Sequence, residues 1–329
     1  MNKQRDIIVI GASAGGMESM ISLLSYLPEN FDASIFFIFH MGAGTSGLHL
    51  QKTLRKSSKL KCKLAHNNEV IRKAHVYIAP PDHHMLIKDN KILINYGPRE
   101  NRFRPCADTL FRSAAANFNS RVTGIILSGM LDDGTAGLSI IKQCNGIAIV
   151  QDPEEATFAE MPLSALKNVA VDYCLPVKGI AEKLVELLSD PLPLETEVPH
   201  VIQQEAAISE RIFGEMNDVN KIGKKAPYIC PDCGGGLWEV DNAGLKHYRC
   251  HVGHTFSEAG LLRNHQENLE NALWVCLRMM EERRTMLFNM AETEKSKARV
   301  STASSFKEKA DEMESHIQTI RQVLFSETK

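Results

Sequence analysis

Ile7-Ile8-Val9-Ile10-Gly11-Ala12-Ser13-Ala14-Gly15-Gly16 decides the fold of this chain. A short β-branched run followed by small residues predicts a buried strand that turns sharply into a helix. A serine at such a turn is lifted clear of the sheet edge, and amides at the following helix start can face an oxyanion. The same shape, with glycine at its first, third and sixth positions, would cradle a dinucleotide pyrophosphate. The third position here is Ser13, so the choice between nucleophile and phosphate cradle rests on the rest of the chain.

Apolar runs and helical patterns alternate from Asp6 to about Asp190. Strands are predicted at Ile7–Ile10, Ser34–Phe39, Val76–Ile78, Val122–Leu127, Ile147–Val150 and Val171–Cys174. Helices are predicted at Asp108–Asn117, Thr135–Gln143 and Lys178–Leu188. This pattern predicts an α/β fold, a doubly wound and mostly parallel sheet with helices on both faces. Met85–Ile94, with Asp89-Asn90 at its centre, reads as an inserted hairpin. Four segments are expected: a catalytic domain over 1–190, a linker over 191–225 with a short polar helix before Lys224, a cysteine-rich module over 226–257 and a helical hairpin over 258–329. In the last, apolar stripes at Leu262, Leu269, Leu273, Cys276, Met280 and Leu287 and at Phe306, Ala310, Met313, Ile317, Ile320 and Leu324 flank a polar break at Ser301–Ser305.

Composition narrows the function classes. With 329 residues, 24% of them charged, and a formal net charge of −2, the chain offers no overall electrostatic attraction to nucleic acid or anionic membrane. No run of about 18 apolar residues exists and the N-terminus lacks a signal-peptide core, so no membrane insertion and a cytoplasmic location are expected. Cys62, Cys106, Cys144, Cys174 and Cys276 are scattered and read as reduced thiols.

A dinucleotide fold would want an acid at the end of the second strand, where this chain has His40. Ser128-Gly129-Met130-Leu131-Asp132-Asp133-Gly134 follows another strand and brings acids to the same edge. Residues just past the carboxyl ends of parallel strands converge on one crevice, so serine, histidine and aspartate there match the parts of a nucleophilic triad. Their order along the chain disfavours the α/β-hydrolase fold.

These motifs resemble the catalytic domain of the chemotaxis protein-glutamate methylesterases of the CheB type. Ala79-Pro80-Pro81-Asp82-His83-His84, Arg104–Ser113, Gln151-Asp152 and Met161-Pro162 belong to the same resemblance, which covers about residues 5–190. It implies hydrolysis of γ-glutamyl methyl esters on chemoreceptor helices to glutamate and methanol, without a catalytic cofactor, and in related enzymes also glutamine deamidation. Carried over, it makes Ser13 the nucleophile, His40 the general base and Asp133 the orienting acid, with Asp132 the weaker candidate. The backbone N–H groups of Ala14 and Met130 are the expected oxyanion hole. Leu131 stands where the family usually has glycine, which predicts a shift of this loop. Arg102, Arg104 and Arg112 are candidates for attracting acidic receptor helices, or simply solvated arginines. The usual member also carries an N-terminal phospho-receiver domain, for which this chain leaves no room, so a separate regulator, a partner fusion or constitutive activity is expected. A catalytically silent scaffold acting through its C-terminal half is the alternative.

Cys230-Pro231-Asp232-Cys233-Gly234-Gly235 and Cys250-His251-Val252-Gly253-His254 have the spacing of a zinc ribbon. Cys230, Cys233, Cys250 and His254 are the predicted ligands of a structural Zn²⁺, with His251 as a rival. A segment of roughly 30 residues hardly folds without such a staple. Acidic neighbours Glu239, Asp241 and Glu258 dilute its basic residues, so protein contact or stability is expected of it rather than nucleic-acid binding.

Overall fold

The Ile7–Ile10 run forms the centre of the sheet, and its burial on both faces is why it needs no polar alternation. The computed structural model describes residues 4–41, 46–193, 197–211, 216–242 and 244–326. Contacts divide the chain into Met1–Gly260 and Leu261–Lys329.

The first unit begins β1 (Ile7–Ala12), α1 (Gly16–Tyr26), β2 (Ser34–Phe39), α2 (Gly47–Ser57), β3 (Lys61–Leu64), β4 (Glu69–Val70) and β5 (His75–Ile78). The hairpin β6 (His84–Lys88) and β7 (Lys91–Asn95) follows, turning through Asp89 and Asn90, both left-handed at φ 47° and 58°. Next come α3 (Ala107–Phe118), β8 (Val122–Ile126), α4 (Thr135–Gln143) and β9 (Ile147–Gln151). The domain closes with α5 (Glu160–Asn168), β10 (Tyr173–Leu175) and α6 (Val177–Leu187). Seven strands form one sheet in the order β10-β9-β8-β1-β2-β5-β3, every pairing parallel. Strand order reverses about β1, which lies between β2 and β8, so the carboxyl ends of these three strands open on the crevice.

Alternate residues of β1 divide the core in two. Ile8 and Ile10 pack with Leu23 and Leu24 of α1, Leu50 of α2 and Ile180 of α6. Ile7 and Val9 pack with Phe111 of α3, Leu138 of α4, Met161 of α5 and the hairpin residues Met85 and Ile87. The sheet is therefore covered on both faces, as the alternating sequence pattern implies.

Residues 191–225 are more than the expected linker. They hold α7 (His200–Glu210) and α8 (Met216–Ile222), and lead into β11 (Lys224–Ile229); Leu194–Thr196 lie outside the described residues. Ile202 of α7 joins the core beside α3, and Glu205 is fully buried. β11, β12 (Gly236–Asn242), β13 (Leu245–Cys250) and β14 (Thr255–Ser257) form an antiparallel sheet in that order. A buried charge network joins this sheet to the larger one. Arg112 of α3 donates to Glu100 Oε2 at 2.6 Å and to Ser209 Oγ of α7 at 2.7 Å. Arg249 of β13 lies 3.4 Å from Glu100 and 3.5 Å from Glu205, while His247 Nε2 is 2.8 Å from Glu205 Oε1. Arg112 is only 4% exposed and so is no part of a receptor-attracting surface, a correction to its candidacy.

α9 (Glu258–Ser296) runs into the second unit, where α10 (Val300–Ser326) follows. Within that unit Leu277, Ile317 and Leu324 are buried together, and Arg321 meets Glu281 at 2.6 Å. The helices part at residues 297–299, where Ala298 is left-handed at φ 58°, rather than at Ser301–Ser305, which lie inside α10. A polar run on an exposed helix face costs too little to break it. Among the described residues no helix is long and apolar enough to cross a membrane.

Burial raises the pKa of Glu100, but the charges of Arg112 and Arg249 outweigh it and bring the value from 4.5 down to about 2. A depressed folded value makes its stabilising contribution complete above pH 4.5 and progressively lost as pH falls toward 2. This loss is worth about 3 kcal/mol. Urea unfolding followed from about pH 6 down to about pH 2 should show the decline, and Glu100→Gln should flatten it while lowering stability at neutral pH. An equally steep decline in that variant would remove Glu100 from the account.

Candidate functional site

Ser13 leaves the sheet one residue after β1, and the turn is held from three sides. Its N–H donates to Ser128 O at 3.0 Å, Gly16 N–H returns to Ser13 O at 2.9 Å, and Ser128 Oγ donates to Ala14 O at 2.8 Å. Ser128 N–H in turn donates to Gln151 Oε1 at the end of β9, at 2.9 Å. Gly15 caps α1 in the left-handed region at φ 71°, and a Cβ there would come within 2.7 Å of Ser128 Oγ and Thr157 Cβ. Gly129 allows another close approach, because its Cβ would lie 3.0 Å from that of Ser13.

His40 follows β2, with its N–H on Ala12 O at 3.2 Å. Its ring stacks on Phe103 with centroids 3.7 Å apart and planes 6° from parallel. Nε2 lies 2.7 Å from Asp133 Oδ2, whereas Nδ1 is buried and has no partner among the described residues. Donation from Nε2 to the carboxylate leaves Nδ1 as the unprotonated ring nitrogen. Among the described residues no hydrogen bond joins Ser13 Oγ to His40 before substrate arrives, a common state for catalytic groups.

Asp133 has no exposed surface. Besides His40, its carboxylate accepts Ala107 N–H at 2.7 Å and Asp108 N–H at 3.1 Å, both at the first turn of α3, and the Cys106 thiol at 3.1 Å. Burial opposes ionisation, but the His40 bond and charge, the Ala107 amide and the Cys106 thiol together hold the carboxyl below its ordinary value. Asp108 moves the other way: burial and the charge of Asp133 push its carboxyl well up. One carboxylate at this helix end is therefore charged, and it is the one on His40. Asp132 instead accepts Ser257 Oγ at 2.5 Å.

Leu131 takes φ 68°, the left-handed geometry a glycine would adopt, and its N–H donates to Glu160 Oε2 at 2.9 Å. A leucine held in that region costs about 1 kcal/mol. Gly129 N–H and Leu131 N–H are occupied by Phe158 O and Glu160, while Ala14 N–H and Met130 N–H have no acceptor among the described residues. A cavity of about 270 Å³ borders His40, lined also by Met41, Asp82, Arg99, Arg102 and Phe103. Arg104 on its wall is tied to Asp82 at 2.8 Å and Gly97 O at 2.7 Å. Sequence reasoning did not single out Phe103, Cys106 or the α3 amides; their signal is spatial, because each arrives from a loop after the hairpin.

The second constellation has the shape of a metal site. One ligand atom from each of Cys230, Cys233, Cys250 and His254 lies within 4.8 Å of every other. Cys233 and Cys250 sulfurs are 3.8 Å apart, and Cys250 Sγ is 3.6 Å from His254 Nδ1. A tetrahedron with bonds of about 2.3 Å to sulfur and about 2.1 Å to nitrogen has edges of about 3.8 and 3.6 Å. His254 Nε2 lies 3.9 Å from Asp232 Oδ2, the outer carboxylate common behind a ligating imidazole. His251 stands outside the cluster, beside Gly235.

Comparison with known proteins comes to the same region. The CheB methylesterase family profile matches residues 8–184. A putative protein-glutamate methylesterase/protein-glutamine glutaminase of Leptospira interrogans is 40% identical over 183 residues, covering 55% of this chain and 94% of that protein. The corresponding Pyrococcus abyssi protein is 34% identical over 185 residues, which span only 50% of its length. The crystal structure of the Thermotoga maritima CheB methylesterase catalytic domain superposes with a TM-score of 0.53 at 35% identity, covering 55% of this chain and 98% of that one.

Gly15→Ala places a side chain at an unfavourable φ and against Ser128. It should cost about 1–3 kcal/mol in urea unfolding and disturb the Ser13 turn. An unchanged unfolding midpoint would show that the turn relaxes freely.

Proposed function

The chain belongs to the CheB methylesterase family, and on that premise we propose that it hydrolyses γ-glutamyl methyl esters of chemoreceptor helices through Ser13, His40 and Asp133. The observation that carries the reading is the His40–Asp133 bond of 2.7 Å beside a serine on a strand-to-helix turn. Ser13 Oγ attacks the ester carbonyl and its proton passes to His40 Nδ1, the ring nitrogen left free. Asp133 keeps its charge and stabilises the imidazolium. The oxyanion falls to Ala14 N–H and Met130 N–H, which have no other acceptor among the described residues. His40 then gives its proton to the departing methoxide, releasing methanol. Water, activated by the same imidazole, cleaves the acyl-serine to free glutamate and restored Ser13. A glutamine side chain would follow the same path with ammonia leaving, the second activity in the relatives' names. Arginines 99, 102 and 104 against Asp82 around the cavity suit an acidic helical substrate.

Methanol release from a helical peptide carrying a glutamate γ-methyl ester tests this reading. Ser13→Ala and His40→Ala should each lower kcat by about 10³-fold or more, with the fold intact by circular dichroism. Full turnover in either variant removes the triad. Ammonia release from the glutamine peptide reports the deamidase activity separately.

The cysteine-histidine cluster fits structural zinc, in chemistry and in edge lengths. Zinc would join Cys230, Cys233, Cys250 and His254 in a closed shell and brace the small sheet, leaving no position for substrate. Purified protein should carry about one equivalent. Cys233→Ser should lose it. Less than about half an equivalent in the unaltered protein counts against the site.

A further inference from the structure

The ribbon sheet reaches the catalytic rim through β14 and the turn before it. Asn101 N–H donates to Thr255 O at 2.8 Å and to Thr255 Oγ1 at 3.1 Å. Ser257 Oγ donates to Asp132 Oδ2 at 2.5 Å, and Asn101 Nδ2 reaches the other oxygen of that carboxylate at 3.4 Å. Gly253 lies so close to the rim that a Cβ there would be 2.7 Å from Pro98 Cγ. Gly260 is similarly close, its Cβ position falling 3.2 Å from Asn101 Oδ1.

These anchors adjoin both members of the His40–Asp133 pair. Asp132 precedes Asp133 directly in the chain. Phe103, two residues beyond Asn101, is the ring stacked on His40. Between them the chain makes a two-residue turn like that at Asp89-Asn90, with Asn101 at φ 46° and Arg102 at φ 72° and paired backbone bonds between Glu100 and Phe103. The bonds from Thr255 to the Asn101 amide hold this turn from outside the catalytic domain.

We propose that β14 sets the geometry of the catalytic pair, with Ser257 and Thr255 as positioning residues. Ser257 acts through Asp132 on the loop carrying Asp133. Thr255 acts through Asn101 on Phe103, and so on His40. This rests on the reading of Ser13, His40 and Asp133 as the esterase triad. It gives the ribbon a role in turnover, with its metal ligand His254 adjacent to the anchoring Thr255.

The test compares the full chain with Ser257→Ala and Ser257→Thr on the same methyl-ester peptide. Hydrogen exchange at the Asn101 amide is followed in parallel. Misplacement of the pair by a fraction of an ångström should lower kcat of Ser257→Ala about tenfold, with KM within about twofold. Exchange at Asn101 should quicken, because the amide's acceptor strand is loosened. Ser257→Thr keeps the hydroxyl and should restore both. An unchanged kcat in Ser257→Ala overturns the proposal, as does a loss that threonine fails to rescue. A rise in KM at constant kcat also overturns it, and makes the ribbon a wall of the substrate cleft instead. If Ser13→Ala stays fully active, the triad reading itself has failed. An inactive Ser13→Ala beside a fully active Ser257→Ala isolates failure of the positioning role.

Discussion

A carboxylate without exposed surface, Asp133, is the constraint around which the catalytic unit is arranged. An ionised side chain in that position survives only if nearly every oxygen lone pair is answered. Two amides from the first turn of α3, the Cys106 thiol and the His40 imidazole provide those answers. Three elements must therefore meet: the end of β2 for His40, the loop after β8 for Asp133 and the start of α3. The parallel order β8-β1-β2 brings the strand ends together, and the hairpin hands the chain back to begin α3 beneath them. The helix start thus steadies the charge of the carboxylate proposed to orient His40 as well as ending a loop.

The same helix carries a second polar centre one turn further on. Arg112, Glu100, Glu205 and Arg249 bring two positive and two negative charges together, with Ser209 bonded to Glu100 and His247 to Glu205. Such a cluster adds little net stability compared with an apolar core. In this seating of α7 and β13 on α3 each of the four charges has an opposite partner. That seating places β14 at the rim of the crevice.

The sheet was legible because its strands are apolar on both faces and end in small or polar residues. β2 and α4 match their predicted limits, and Asp89-Asn90 marked the hairpin turn. β3, at the edge of the large sheet, and β4, at the edge of a small sheet with β7 and β6, escaped notice because Lys61, Lys63 and Glu69 break any apolar run. α7 read only as part of a linker with one short polar helix, for a related reason. Glu205 and Ser209 look solvated until partners from Glu100, Arg112 and Arg249 surround them, and no local pattern carries those partners. The candidate site divides likewise: Ser13, His40 and the acids after β8 stand at strand ends, a place the sequence reveals. Phe103, Cys106 and Ser257 reach the site through turns whose course depends on packing.

Similarity to the methylesterases ends near residue 184, which invites the view that the remainder is detachable. The Arg112 network argues otherwise. A chain cut ahead of His200 would lose Glu205, Ser209, His247 and Arg249 together, leaving Arg112 with Glu100 alone at a face built to be covered. Within Met1–Gly260 the larger fold and the ribbon thus share one set of buried charges. Each change at one side of the charge cluster narrows the substitutions the other side can accept.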